Sequence, residues 1–384
     1  MLSPDFLINN IDDITTLYSD LHTDMLVSIV THMADTLKVL GKPGIIPSVA
    51  YQIEQANQVG VLEKVLVETI AKANKMGRKA VLQLFKEAKV KIQDADLSTY
   101  KKAGVDPVPV YQSPTMLKIF DAGVNKTLGS VKNFTGSTIG IVNYRFLELT
   151  NLAYNKITSG AFSYDQAIAG AVDELGREGV YSLMTATGHK ISLEAGVRRA
   201  VLTGVSQTAG HMTHQALIDT GADLCRTSAH QGARNEGVGY VNHEMWQGKV
   251  FSLKSKTDKY EVFTDACGYG HVQGIYGANC KHSHGLYIEG ISPEKYEDGQ
   301  LDRWARETVT FEGKQIPYYA ATQMLRAMER QIRGWKRREK MKDAAGFDAS
   351  VEKLKVSEWQ DRATDFVRQT KLQRQFIRER IENE

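Results

Sequence analysis

Apolar residues recur every three or four positions along the first third of the chain. The first such stripe runs from Ile14 through Leu17, Leu21, Met25, Ile29, Met33 and Leu37 to Leu40. This spacing predicts an amphipathic α-helix, which ends at the Gly-Lys-Pro-Gly sequence of residues 41–44. We expect its apolar side to be covered either by later helices of the same chain or by a partner protein.

The middle of the chain continues the helical pattern. Residues 61–71 and 78–92 repeat it, with lysine and glutamate on the opposite face. Residues 129–140 are rich in glycine, serine, threonine and asparagine, which predicts a loop or hinge. Residues 192–205 and 206–218 are predicted to form two short helices. A capping box, in which a serine precedes a glutamine by three positions, is expected at Ser163.

The pattern changes after Gly221, where glycine becomes frequent. Residues 249–253 and 260–263 have the composition of short strands. Residues 308–311, followed by Glu312-Gly313, predict a small hairpin. Together with the helices, these segments predict a mostly helical α+β chain.

A long basic helix is predicted from Tyr318 onward. Between Arg326 and Lys342, eight basic residues stand against two acidic ones. Four of the basic residues, at spacings of three or four, are predicted to share one face and to contact DNA or an acidic partner: Arg333, Lys336, Arg337 and Lys340. An ordinary solvated face is the alternative. The last segment, 357–384, has few apolar residues, which indicates docking on a partner or partial disorder.

Composition excludes several classes of protein. The chain has 384 residues, 42% of them hydrophobic and 24% charged, which is typical of a soluble globular protein. A formal net charge of +3 does not by itself indicate nucleic-acid binding. Three cysteines argue against a disulfide framework and for a reducing compartment. We find no signal peptide and no apolar run long enough to span a membrane.

The strongest chemical signal is a cluster between residues 225 and 284, which holds all three cysteines and five of the ten histidines. The candidate residues are Cys225, His230, His243, Cys280 and His282, with Asp265, Cys267, His271 and His284 nearby in sequence. A zinc site is one interpretation. We favour a structural polar network without a metal or other cofactor, because no Cys-x-x-Cys pair and no standard zinc-finger spacing is present.

Other arrangements could carry chemistry. Cys267 or Cys280 beside a histidine, either His243 or His271, would suit a thiol hydrolase, although a free cysteine is more often a small core residue. His211 and His214 lie one helical turn apart, which suits a metal edge or, more simply, a solvated face. The glycine-rich sequences 268–270 and 274–277 are expected to allow close backbone packing rather than to bind phosphate.

Several segments resemble the phage minor capsid protein 2 family, which is similar to the Mu F-like head morphogenesis proteins. They are residues 196–204, 221–230, 243–251, 276–283 and 321–333. The resemblance runs from about Ser163 to Lys342, and more loosely into the N-terminal helices. It implies a compact Mu F-like α+β module at 163–290, between a helical N-terminal arm at 1–162 and a hairpin with a basic helical tail at 291–384.

The resemblance also implies a function. It indicates a minor structural protein of a tailed-phage head or prophage, acting in head morphogenesis and in genome packaging or delivery. The portal protein and the major capsid protein would be its partners, with packaged double-stranded DNA nearby and no membrane. It would be in the host cytoplasm during assembly and then in the head interior near the portal. Enzymatic activity, as a metal- or cysteine-dependent hydrolase, is the alternative, and we expect no catalytic residues.

Overall fold

The computed structural model describes residues 2–41, 47–184, 188 and 190–381, and helices account for most of them. The α-helices are α1 (Pro4–Asn9), α2 (Asp12–Leu37), α3 (Pro47–Asp94), α4 (Leu97–Lys102), α5 (Pro114–Thr158), α6 (Tyr164–Glu178), α7 (Leu193–Asp219), α8 (Phe263–Cys267), α9 (Gln300–Arg306), α10 (Tyr318–Ala345) and α11 (Ser350–Thr370). The predicted breaker at 41–44 lies mostly outside the described residues.

Short antiparallel strands complete the fold. They are β1 (Tyr181–Met184), β2 (Lys190–Ser192), β3 (Leu224–Thr227), β4 (Val250–Ser252), β5 (His284–Tyr287), β6 (Thr308–Phe311) and β7 (Lys314–Pro317). Strands β1 and β2 pair, β3 lies between β4 and β5, and β6 pairs with β7. This mixture confirms the predicted mostly helical α+β class.

Two local predictions are confirmed by hydrogen bonds. At the start of α6, the Ser163 side chain accepts from the backbone N–H of Gln166, and the Gln166 side chain accepts from the backbone N–H of Ser163, so the capping box is complete. Strands β6 and β7 form the predicted hairpin, and the turn residue Glu312 has a positive φ of 49°. The capping box and the hairpin each depend on residues that are close in sequence, so the local sequence pattern is sufficient to predict them.

The predicted loop at residues 129–140 is wrong, because this segment lies inside α5. The glycines are accommodated on the helix: a Cβ at Gly129, Gly136 or Gly140 would meet no atom within 4 Å. Thr135 and Thr138 are buried, and each hydroxyl donates to the carbonyl four residues earlier, at 3.1 and 2.7 Å. Hydroxyls that bond within the helix need no other partner, so a polar composition is compatible with a continuous helix.

Other helices are longer than the sequence predicted. Residues 61–71 and 78–92 both belong to α3. The two short helices predicted at 192–205 and 206–218 form one helix, α7, which begins at Leu193. Neither residues 72–77 nor Ser206 interrupts its helix. Helix propensity differences of less than about 1 kcal/mol per residue are easily overridden by packing.

By its internal contacts the chain divides into two units, which are described separately. The first unit consists of Met1–Asp12, Arg78–Ser130 and Arg198–Gln323. The second unit consists of Asp13–Gly77, Val131–Val197 and Met324–Glu384. The three-part division at residues 162 and 290 was drawn from the sequence and the resemblance, and it stays a prediction.

The core of the second unit contains the N-terminal stripe. Ile14, Leu21, Met25, Ile29 and Met33 of α2 are almost completely buried. Burial inside the chain is therefore the correct one of the two alternatives for this helix, and no partner is needed to cover it. Full burial of each such side chain stabilises the fold by about 1.5–3 kcal/mol, which explains why the stripe is the clearest pattern in the sequence.

The core of the first unit surrounds the three-stranded sheet. Strand β3 contributes Cys225, β4 contributes Phe251 and β5 contributes Leu286, and these side chains pack with Trp246 and Phe263 from the connecting segments. Irregular segments thus supply much of this core. Their side chains bring the loops around the sheet together, and they place residues 243–247 next to residues 280–283.

Candidate functional site

Two hydrogen bonds join the loop that leads into β5 to the loop that follows β3. The backbone N–H of Ser283 donates to the Ser228 hydroxyl at 2.9 Å, and the backbone N–H of Ser228 donates to the Ser283 carbonyl at 2.7 Å. A 3₁₀ turn at His243–Met245 lies between β3 and β4. The strand pairing therefore brings together two loops whose paired residues, Ser228 and Ser283, are 55 positions apart in sequence.

Three of the predicted site residues meet at this point. His243, Cys280 and His282 are buried, and each offers a ligand atom that lies within 4.8 Å of the other two. The Nε2–H of His243 donates to the Gln273 carbonyl at 2.8 Å, and the Nε2–H of His282 donates to Gln247 Oε1 at 3.2 Å. In both rings Nδ1 is therefore the nitrogen without a proton. The Cys280 Sγ lies 3.7 Å from His282 Nδ1.

The Cys280 sulfur also receives backbone donors. The N–H of His282 points at it, with N and Sγ 3.4 Å apart. Burial raises the pKa of the Cys280 thiol to about 11, although the backbone groups of His282, Tyr276 and Gly277 and the charge of Arg234 act in the opposite direction. The free thiol is therefore protonated at neutral pH, yet the site already contains groups that favour the thiolate.

The loop before Cys280 has an unusual backbone. Tyr276 and Asn279 have φ values of 63° and 60°, in the left-handed region that residues with side chains rarely adopt. A Cβ on Gly274 would lie 2.1 Å from the Gly268 carbonyl oxygen, and one on Gly277 would lie 2.3 Å from the Val272 carbonyl oxygen. The glycines therefore permit close backbone packing, and the strained positions next to Cys280 are of the kind that cluster at functional sites.

The histidines of the site are neutral. Burial lowers the pKa of His243 to about 4 and that of His230 to about 4, and it lowers the pKa of His282 well below its usual value. A neutral imidazole offers one lone pair, which can accept a hydrogen bond or bind a metal. The site can therefore work as a hydrogen-bonded network or as a set of metal ligands.

The remaining members of the predicted cluster lie beside the three central residues or away from them. The His230 ring stacks on the His282 ring with centroids 4.5 Å apart, and its Nδ1–H donates to the Gln231 carbonyl at 3.0 Å. Cys225 is buried on β3, where burial raises the pKa of its thiol. The five residues predicted from the sequence thus separate into three at the site, one stacked against it, and one in the apolar core.

The structure gives no support to the alternative of a cysteine nucleophile. Cys225, Cys267 and Cys280 are all buried, and burial raises the pKa of each thiol. A nucleophilic cysteine needs an accessible thiolate. His271, one of the candidate bases, stacks on Tyr240 with centroids 5.0 Å apart.

A second group of aromatic and histidine side chains was not predicted as a unit. The Tyr276 hydroxyl accepts from the backbone N–H of His284 at 2.8 Å and donates to His284 Nδ1 at 2.6 Å. His214 stacks on Tyr269 and lies 5.6 Å from the His284 ring. His214 is thus part of an aromatic cluster rather than of a wholly solvated helix face. The His211–His214 spacing could have suggested a buried face, but nothing in the sequence identifies Tyr276.

The basic residues of α10 are not equivalent. Arg337 is only 8% exposed, and its guanidinium donates to Glu194 Oε1 through both Nη1 and Nη2 at 3.1 Å. The Arg333 guanidinium donates to the Arg378 carbonyl. Lys336 and Lys340 are partly exposed. Arg333 and Arg337, two of the four residues predicted to contact DNA or an acidic partner, therefore bond to other groups of the second unit. The predicted contact with DNA or an acidic partner stays a prediction.

Arg337 belongs to a buried ionic network around Glu194. Glu194 Oε2 accepts from His22 Nδ1 at 2.5 Å, while the backbone N–H of Val180 donates to His22 Nε2 at 3.0 Å. Because Nε2 accepts, the proton is on Nδ1 and the ring is neutral. Burial alone would raise the pKa of the Glu194 carboxyl, but Arg337 and His22 bring it well below its ordinary value. No local pattern indicates this network, since its members are far apart along the chain.

We expect His22 to make the protein sensitive to acid. Burial lowers its pKa, with Arg337 adding to the effect and Glu194 opposing it. The unfolded chain, where the ring has a pKa near 6.5, therefore binds a proton before the folded chain does. Titration of His22 does not change stability well above that pH, and it reduces the free energy of unfolding as the pH falls below about 6.5.

The prediction can be checked with a His22→Gln variant, which keeps a polar side chain that does not titrate. Urea unfolding between pH 7.5 and 5 should give a free energy that falls less steeply with acid in the variant than in the wild type. The comparison concerns the slopes, since the substitution also changes the absolute stability. Equal slopes would show that His22 is protonated without penalty in the folded protein.

Two comparisons with known proteins match this chain to phage structural proteins over most of its length. The family model described as phage minor capsid protein 2 matches residues 2–368. A protein of Lactococcus phage LL-H, named "Structural protein", is 27% identical over 315 residues, which cover 77% of this chain and 78% of that protein. No solved structure gives a significant match. Among the described residues, no helix is both long and apolar enough to cross a membrane. The family match includes both the buried site and the basic helix.

Proposed function

Because the chain belongs to the phage minor capsid protein 2 family, we propose that it is a minor component of a tailed-phage head that binds portal or capsid subunits. In this role it takes part in head morphogenesis and in packaging or delivery of the genome. It is present in the host cytoplasm during assembly and afterwards in the head interior near the portal. The observation that carries the proposal is the family match, which extends over nearly the whole chain.

A surface on α3 supports binding to another protein. Val49, Ile53 and Val67 recur at helical spacing with Gly60 between them, and they are 47%, 59% and 50% exposed. Exposed apolar side chains that share one face of a helix are candidates for contact with another protein. We assign this apolar surface of α3 to contact with a portal or capsid subunit.

The assignment predicts a defect in assembly. A double variant, Ile53→Glu with Val67→Glu, places two carboxylates on the surface, and charged groups without partners are disfavoured at an interface core. We expect the number of copies in purified heads, measured by quantitative mass spectrometry, to drop several-fold while the protein still folds.

The matched control is Val238→Glu, which introduces the same charge at a valine that is 89% exposed and lies outside α3. Heads containing this variant should have the wild-type copy number. Circular dichroism of each purified variant separates a loss of binding from a loss of folding. Normal incorporation of the double variant would remove the surface from the proposal, and absence of the wild-type protein from heads would overturn the proposal itself.

Packaged DNA is the proposed neighbour of α10. Lys336 and Lys340 lie on the basic segment and are partly exposed, so they are the residues that we propose to lie near phosphate groups. The contribution is electrostatic and independent of sequence, which suits a protein that must tolerate any genome. The proposed structural role is consistent with a family of minor capsid proteins.

A further inference from the structure

We propose that His243, Cys280 and His282 bind one zinc ion, which joins the loop after β3 to the loop before β5. This inference is independent of the proposed function in the phage head. It revises the expectation drawn from ligand spacing, because spacing describes ligands within one short segment. Here one ligand comes from the 3₁₀ turn at His243–Met245, and the other two come from the segment that leads into β5.

The distances suit a tetrahedral zinc ion. Zinc binds histidine nitrogen at about 2.0 Å and thiolate sulfur at about 2.3 Å, which separates the two ligand atoms by about 3.5 Å in a tetrahedral shell. Cys280 Sγ and His282 Nδ1 are 3.7 Å apart. All three ligand atoms lie within 4.8 Å of one another. Only small side-chain movements are therefore needed to close the three ligands around an ion.

The hydrogen bonds behind the ligands are those of a metal site. A ligating histidine usually donates its other ring N–H to an oxygen, which fixes the tautomer and aims the free nitrogen at the metal. His243 donates from Nε2 to the Gln273 carbonyl, and His282 donates from Nε2 to Gln247 Oε1. Nδ1 of each ring therefore carries the free lone pair, and at His282 this nitrogen already lies 3.7 Å from the Cys280 sulfur.

The surroundings of the Cys280 sulfur also favour the thiolate that a metal requires. The thiolate is the form that binds zinc, so the thiol proton must leave to solvent as the ion enters. The backbone N–H of His282 already points at Sγ, and backbone donors of this kind stabilise a negative sulfur. The resulting centre has one thiolate and two neutral imidazoles, which are three of the four ligands of a tetrahedral shell.

The test uses the full-length protein and the metal alone. Protein purified from zinc-supplemented cells should contain about one zinc per chain by elemental mass spectrometry. After removal with a chelator, titration with Co²⁺ should produce the near-ultraviolet band of a cobalt–thiolate bond, which zinc then abolishes. Copper bound in place of zinc would overturn the assignment, since a site with two histidines and one cysteine also suits that metal.

Two pairs of variants make the test specific. Cys280→Ala should abolish the cobalt–thiolate band, whereas Cys225→Ala, which removes another buried thiol from the same core, should retain it. Gln247→Leu, which removes the acceptor behind His282, should weaken zinc binding by about 10–100-fold without removing a ligand. Gln215→Leu, on the exposed side of α7, should leave zinc affinity unchanged.

A second measurement covers the case in which Cys280→Ala does not fold. In the wild-type protein, zinc should slow alkylation of Cys280 under partly denaturing conditions, relative to Cys225 and Cys267, as mapped by peptide mass spectrometry. Wild-type protein that folds but binds no zinc at any concentration tested would overturn the proposal. Equal alkylation of the three cysteines with and without zinc would do the same.

Discussion

Replacement of Glu194 by alanine is expected to lower the free energy of unfolding by about 3–5 kcal/mol, because it leaves the buried Arg337 guanidinium without its counter-ion. Glu194 accepts from two nitrogens of Arg337 and from His22, and both charged side chains are almost fully buried. Thr23 and Ser19 accept further bonds from Arg337 at 3.2 and 2.9 Å, but hydroxyls cannot neutralise its charge.

A double variant distinguishes this explanation from a simple loss of packing. Glu194→Ala combined with Arg337→Met removes both charges, and replacing a whole buried pair with apolar groups is often nearly neutral. The double variant should therefore be more stable than Glu194→Ala alone in urea unfolding. If the two substitutions instead add, the carboxylate and the guanidinium do not depend on each other in the folded protein.

The same network shows why the spacing of basic residues in α10 does not reveal which of them are buried. A helical spacing of arginine and lysine defines a face, but it does not say what that face meets. The partner of Arg337 is Glu194, which precedes it by more than one hundred residues. Local pattern shows which residues are neighbours along a helix, while ionic pairing between distant segments depends on the tertiary fold.

The predictions that the structure confirms depend on residues that are close together in sequence. The apolar stripe of α2, the capping box at Ser163 and the β6–β7 hairpin are all defined by residues a few positions apart. Their physical causes are local as well: periodic burial, satisfaction of free backbone N–H groups, and a turn that tolerates positive φ. The loop predicted at residues 129–140 is wrong because hydroxyls that bond to the carbonyl four residues earlier allow a polar segment to stay helical.

The buried site around Cys280 was predicted in part from local sequence, but its details depend on contacts between distant segments. The sequence placed His243, Cys280 and His282 in one candidate set, and the fold brings these three side chains close together. The sequence could not distinguish these three residues from Cys225, whose side chain lies on β3 and packs in the hydrophobic core. It also missed Gln247 and Gln273, whose oxygens fix the two histidine tautomers. Such supporting groups are common residue types with no distinctive spacing, so only the fold reveals them.

Phe263→Ala is the other substitution with a large expected effect, a loss of about 3–5 kcal/mol in the free energy of unfolding. The Phe263 side chain is fully buried in the core of the first unit. Its ring lies 4.5 Å from that of His284 and 5.4 Å from that of Tyr269, measured between centroids. Removing it opens a cavity under β5, in a region where loops rather than long elements supply most of the packing.

The effect should depend on burial rather than on aromaticity. Phe162→Ala is the matched control, since Phe162 is 45% exposed and its removal leaves no closed cavity. We expect its free energy of unfolding to stay within about 0.5 kcal/mol of the wild type, a typical range for surface positions. Phe263→Leu should fall between the two, because it preserves part of the buried volume. Equal stability of Phe263→Ala and Phe162→Ala in urea unfolding would mean that the loops around β5 do not depend on this ring, and that hydrogen bonds such as those of Tyr276 hold them instead.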